Sequence, residues 1–568
     1  MRCEFCGQIN EPGVQFCTRC GAQLTATEVT QAGQPPQQQA PDQYATPQND
    51  AAPNYTPTSA VSKLKSLPIK KILIIAVPVI VIIIAAIIII PMLTSPSGSV
   101  VKSSITFFTD KGVVFVSGDN NPKFTIDGEI HSYRRSMDGS KAVVLTDYKS
   151  STGGELWFVT TSTSYRIADD VMEFELSDSG NGVIFLTDYD SRQDLASLVL
   201  YDTSSKKATK ITEDAYYNGY YGMMGMCISP NGRSTSYITD YDEHDDEFTG
   251  YIRIDGKNPE KLGKNTFAVA IADGGRHLYY AKMSDTGSSA SFHVRSGRND
   301  VRLVSDAFSG QSVIFNKDYS EVLFSVDDRS FIYRTGNSER ERVGGAPLIR
   351  IILPRGTQTG GASGIADITV YGVRDFNGFV ASTSDGLVYI NSKLESSRIN
   401  SSSDYGGYTA TISADGKTLL FINNNGHLSA IDPTKPGAER REVARNVSSY
   451  VATSDAKTIY YINDDEELFC VRGNGAPAKI SDDVSRLALA YNSSRLFFLV
   501  DYRTNRGGEL YYSNNGGKKA SVPGADETLT LWVTPANVFY TNRDKEVFRS
   551  GGNENFSLFE QEVTRYTG

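Results

Sequence analysis

Beyond residue 100 the chain alternates short apolar runs with polar clusters rich in Gly, Asn, Asp and Ser. "KAVVLTDYKS" from Lys141, "GVIFLTDYDS" from Gly182, "TSYITDYDE" from Thr235 and "RLFFLVDYRT" from Arg495 show the form. Each run is β-branched and aromatic, too short for a helix, and continuous, which predicts a strand buried on both faces. Upstream lies a turn such as "SMDG" at Ser136 or "SPNG" at Ser229, where the D-G and N-G pairs offer the positive φ of a hairpin. Downstream come a polar tip, an alternating strand such as "LVLYD" and an outer strand such as "ATKIT".

These four-strand units repeat. The turn positions Asp138, Asp178, Asn231 and Asp273 are 40, 53 and 42 residues apart, and Asp415, Asp455 and Ser493 follow at 40 and 38. A period near forty with four strands per period predicts an all-β fold of propeller blades. Ten units and a shorter opening piece from Ile105 are recognisable, more than the roughly four to eight of a usual ring. The stretch "APLIRIILPRGTQTGGASGIAD" interrupts the pattern, so two tandem propellers are expected, 100–345 and 369–568. One larger ring with an insertion is the alternative. The recurring Asp-Tyr is expected at the exit from the second strand, Asp capping the turn and Tyr packing its ring on the blade. The units resemble WD-like propeller repeats of the TolB type, whose pattern is S-P-D-G, an apolar strand, a Ser-Asp hairpin and an "IY-x-x-D" strand. "SPNG" at Ser229–Gly232 and "SADG" at Ser413–Gly416 carry the resemblance. It implies a fold and no reaction.

Hydropathy changes character towards the N-terminus. Ile72 to Leu93 are 22 residues without a charge, roughly 33 Å as a helix and enough to cross a bilayer core of about 30 Å. Residues 72–93 are therefore expected to be a single transmembrane helix. Lys63, Lys65, Lys70 and Lys71 precede it, and the first basic residue after it is Lys102. That asymmetry places the N-terminus in the cytoplasm and the C-terminal region outside the cell. Residues 25–71, Gln- and Pro-rich with a basic flank, carry too little apolar surface to fold and read as a disordered tether.

Four of the six cysteines fall in the first 20 residues. Cys3 and Cys6, and Cys17 and Cys20, form two C-x-x-C-G knuckles, the ligand set for one structural Zn²⁺ in residues 1–24. So short a segment has no adequate core of its own, and the metal would supply its folding free energy. The stretch resembles the zinc ribbons that open many bacterial membrane proteins; together with the repeats, the chain resembles a bacterial single-pass membrane protein of that kind. A reducing cytoplasm suits these thiolates. Cys227 and Cys470 stand alone and read as small core residues.

The formal net charge of −10 gives no basic surface for nucleic acid. Five histidines are scattered without metalloenzyme spacing, and there is no G-x-S-x-G elbow. The acidic loop from Asp240 to Phe248 lacks the spaced ligands of a calcium loop and reads as a solvated tip. The expected function is a non-catalytic extracellular platform binding a protein, peptide or glycan, with a cytoplasmic protein partner for the ribbon. The alternative is an extracellular glycosidase-like hydrolase with a carboxylate pair in a channel, which sequence spacing cannot reveal.

Overall fold

The computed structural model describes residues between 104 and 567, apart from short loops and the stretches 218–225, 306–312, 354–358, 361–367, 372–374 and 402–409. The ribbon cysteines Cys3, Cys6, Cys17 and Cys20, the tether and the apolar segment 72–93 lie outside the described residues. Among those described, no helix is long and apolar enough to cross a membrane.

The described chain is all-β. Its strands form eleven sheets, each built on four antiparallel strands; one carries two further strands on its edge, and in nine of the other ten the four follow in chain order. The eleven match the ten repeats and the opening piece. Blade 2 runs from Ile130–Arg135 to Ser164–Val171, blade 3 from Glu173–Leu176 to Lys207–Tyr216, and blade 4 from Cys227–Ile228 to Glu260–Lys264. Blades 5 and 6 begin at Thr266 and Val313, blade 7 at Leu348, and blades 8 to 11 at Ala410, Val447, Val484 and Thr530. Blade 1 is a composite. Ser104–Thr109, Gly112–Ser117 and Lys123–Asp127 supply three strands, and the C-terminal Val563–Thr567 pairs antiparallel with Ser104–Thr109 as the fourth. The two ends of the described chain thus meet in one sheet.

Two sequence devices shape each blade. The first is the turn between the first and second strands. Gly139, Gly180, Gly232 and Gly416 sit there at φ of 65° to 80°, a conformation that costs glycine little. A hydroxyl before the turn then ties it shut. Ser136 Oγ accepts the Lys141 amide at 3.0 Å, Ser229 Oγ the Ser234 amide at 3.0 Å and Ser413 Oγ the Thr418 amide at 2.9 Å. The second device is the T-D-Y itself. Its Asp lies inside the strand, not in the following turn: Asp147, Asp188, Asp240 and Asp501 have φ of 51° to 55°. The ladder register slips at each of these sites. The motif is a β-bulge, with Asp chosen because it tolerates the left-handed region better than most residues. Asp170, Asn265, Asn446 and Asp483 repeat that conformation just before the next blade begins.

The core lies between blades. Val143, Leu145 and Phe158 of blade 2 pack on Phe174, Val183 and Phe185 of blade 3, and similar clusters join later neighbours. One of them crosses the expected boundary: Leu323, Ile332 and Val343 of blade 6 share a cluster with Ile351, Phe379 and Ile390 of blade 7. Strands begin and follow the interrupting stretch. Leu348–Ile352 is the first strand of blade 7, and Ile368–Tyr371 pairs in parallel with Val313–Phe315 on the edge of blade 6. The described residues of blades 6 and 7 therefore share one apolar cluster.

Candidate binding surface

The turns of blades 2 to 6 converge through hydrogen bonds that pass from one blade to the next. The Met137 amide donates to the Asp178 carbonyl at 2.7 Å, and the Ser179 amide to the Pro230 carbonyl at 3.0 Å. The Asn231 amide donates to Asp273 Oδ1 at 2.8 Å, and the Tyr279 hydroxyl to the Tyr319 carbonyl at 2.9 Å. Tyr319, buried, returns its hydroxyl to Asp178 Oδ2 at 3.4 Å. The links form a closed circuit through blades 3, 4, 5 and 6. Burial pushes the Asp178 carboxyl up to about 6, with Asp273 and Glu175 adding repulsion.

The opposite ends of blades 2 to 4 carry the T-D-Y bulges and a row of aromatic rings. Tyr148 of blade 2 stacks on His131, ring centroids 4.0 Å apart and planes inclined by 19°. Tyr217 at the end of blade 3 shares an apolar cluster with Tyr148, and its ring meets Tyr189 edge-on at 5.2 Å. Tyr216 continues the row to Tyr241 of blade 4 at 4.3 Å; Tyr216 and Tyr217 are buried, so Tyr148, Tyr189 and Tyr241 are the rings it presents. The bulges explain why the row exists. An extra residue per second strand turns each Tyr to lie against its own blade, half-buried, while the Asp before it stays exposed. Tyr189 also donates to Asp194 Oδ1 at 2.6 Å, which fixes its ring.

Beside the row stand charged groups on the first strands. Glu175 is 2% exposed and accepts from Arg134 Nε at 3.2 Å. Glu173, two residues earlier, lies on the same side of its strand. Burial pushes the Glu173 carboxyl up to about 7, against the pull of Arg134 and with Glu175 repelling it. Neither Glu nor Arg134 was singled out in the sequence. The available signal was the polar alternation in "MEFEL", set where other first strands are mostly apolar.

The sequence candidates fall elsewhere. The four zinc ligands lie outside the described residues, as do His244 and residues 243–246 of the acidic loop. His131 is in blade 2, His277 and His293 are in blade 5, and His427 is in blade 8. His277 meets Ser296 at 3.0 Å and His427 meets Glu442 at 3.2 Å. Cys227 and Cys470 are buried free thiols, as expected for core residues. Burial pushes Cys227 up to about 12 and Cys470 upwards, so neither presents a thiolate near neutrality.

No family model matches the sequence, and no curated protein matches it. Among solved structures the chain is similar to a eukaryotic initiation factor (11% identity, 81% of this chain and 99% of that one, TM-score 0.37). It is also similar to the β-propeller domain of the trilobed protease from Pyrococcus furiosus (10%, 62% and 98%, TM-score 0.27). A third is TolB from Acinetobacter baumannii (13%, 50% and 70%, TM-score 0.27). The propeller assignment itself rests on the strand order: eleven units of four antiparallel strands, packed blade on blade, with the two ends of the described chain joined in one of them.

Proposed function

We propose that this chain is a membrane-anchored surface protein whose blades form a non-catalytic binding platform outside the cell. In this reading the segment 72–93 is the anchor, and Cys3, Cys6, Cys17 and Cys20 hold one structural Zn²⁺ in the cytoplasm, where the ribbon meets a protein partner. The observation that carries the platform reading is the tyrosine row across blades 2 to 4. Tyr combines a large apolar ring with a polar tip at little conformational cost, which suits a recognition surface. The bulges hold these rings in fixed positions on a rigid sheet framework. The test is capture of a partner from cell-surface extract by the full-length protein in nanodiscs. The double variant Tyr148→Ala, Tyr189→Ala should lose about tenfold or more of the captured affinity. Equal capture by both proteins would end the assignment of this surface.

One observation favours a second reading. Glu173 and Glu175 are neighbouring carboxyls of unlike setting, one raised by burial and the other paired with Arg134. An acid beside a carboxylate is the arrangement a glycosidase uses. Hydrolysis of aryl glycosides that disappears in Glu173→Gln would favour the hydrolase over the platform.

A further inference from the structure

The repeats allow one blade to be read against another. In blade 10 the T-D-Y position is held by Val500, Asp501 and Tyr502. There the guanidinium of Arg486 lies over the Tyr502 ring, 4.4 Å from its centroid. Arg486 Nη2 donates to the Tyr502 hydroxyl at 3.1 Å and Nη1 to the Leu529 carbonyl at 3.0 Å. Arg486 pairs in register with Leu499, two residues before Asp501. The residue that pairs with the equivalent Leu186 of blade 3 is Glu173. In blade 2 the partner of Leu145 is Ser132. Where blade 10 places a guanidinium at this register position, blade 3 therefore places a carboxyl and blade 2 a hydroxyl.

The surrounding charge changes in the same direction. Around Tyr502 the exposed residues Arg503 and Arg506 stand with Asp501, Asp526 and Glu527, so that with Arg486 the charges balance. Around Tyr189 they include Asp188, Asp190, Glu213 and Asp214 against Arg192 and Lys210, the latter drawn to Glu213 at 3.0 Å, which leaves an acidic excess. Exposed Asp147 and Asp170 extend the acidic edge onto blade 2, and Asp240 and Asp242 onto blade 4. Aromatic rings attract cations over their faces, and Arg more often than Lys. Carboxylates at several points across three blades would meet several positive charges on one extended chain.

We infer that the Tyr189–Glu173 position of blade 3 is the centre of a docking surface for an arginine-rich segment of a partner protein, its guanidinium taking the place that Arg486 holds in blade 10. This rests on the platform reading and names the chemistry of its partner. It accounts for the tyrosine row and for the acidic excess of blade 3 over blade 10 with one ligand class.

The test uses full-length protein in nanodiscs of neutral lipid and a fluorescent nona-arginine peptide, with the neutral nona-citrulline peptide as control. The arginine peptide should bind saturably, more weakly as salt rises, and the citrulline peptide should not. Glu173→Arg gives blade 3 the internal cation of blade 10 and should weaken binding about tenfold; Glu173→Gln and Tyr189→Leu should each weaken it about threefold or more. Should Glu173→Arg fail to fold, the other two variants decide. Binding that ignores all the folded variants would reduce the surface to unspecific acidic attraction and overturn the inference. So would equal binding of the two peptides. A retained, Tyr148- and Tyr189-dependent capture from extract in the same protein would then show that the platform stands with a different partner.

Discussion

At the residue scale, the fold depends on side chains placed where ordinary ones are strained. Asp188 lies exposed at a φ of 55°. A β-branched side chain there should cost about 1–2 kcal/mol, so Asp188→Val should lower the denaturation midpoint while Asp188→Gly leaves it nearly unchanged. Arg134→Ala would leave the Glu175 carboxylate inside without its cation, at a cost of about 2–3 kcal/mol, measurable by the same denaturation series. The raised carboxyls make a pH prediction with a definite sign. Asp178 and Glu173 are pushed up to about 6 and about 7 from ordinary values near 4. The folded protein therefore keeps protons that the unfolded chain releases between about pH 4 and pH 7, and stability should fall as pH rises through that window. Asp178→Asn and Glu173→Gln should flatten the decline. The turn residues act lower on the scale. Ser413 and the Lys417 amide hold the Asp415 carboxyl below its usual range, so its contribution is lost only in stronger acid.

At the element scale, the blade was largely legible because every part of it has a local cause. Continuous apolar runs marked second strands, and Gly after Asp or Asn marked the tight turns. The T-D-Y was visible as a repeat but misplaced by sequence reasoning, which set the Asp in the turn. A bulge differs from a turn only in what the neighbouring strand does, and the neighbouring strand is not local information. Glycines at blade contacts were equally hidden. A Cβ on Gly182 would approach the Gly232 carbonyl oxygen to 2.4 Å, and one on Gly232 would meet the Gly182 amide at 2.4 Å. Gly182→Ala should thus destabilise by about 1–3 kcal/mol or more by forcing blades 3 and 4 apart, and a double mutant cycle with Gly232→Ala should be strongly non-additive.

At the scale of the whole molecule, closure falls to five residues. Truncation after Glu560 removes Val563–Thr567 and bares the edge of Ser104–Thr109. The thermal transition of the truncated chain should move down and broaden as blade 1 loses its fourth strand. The anchored topology has its own check: protease added to intact cells should digest 100–568 and spare 1–24, and metal analysis should return one zinc per chain, lost in Cys3→Ser. The sequence alone settled what chain chemistry controls over short range: an all-β region, the strand grammar of its blades, and the separation of a cysteine-rich end and a charge-free run from the rest. Tertiary structure decided what depends on meetings between distant residues. It packed blade 6 on blade 7, brought Asp178 to Tyr319, assembled one tyrosine row from three blades, and set Glu173 where another blade has Arg486. A repeat period shows that units are alike; only their packing shows where they differ to a purpose.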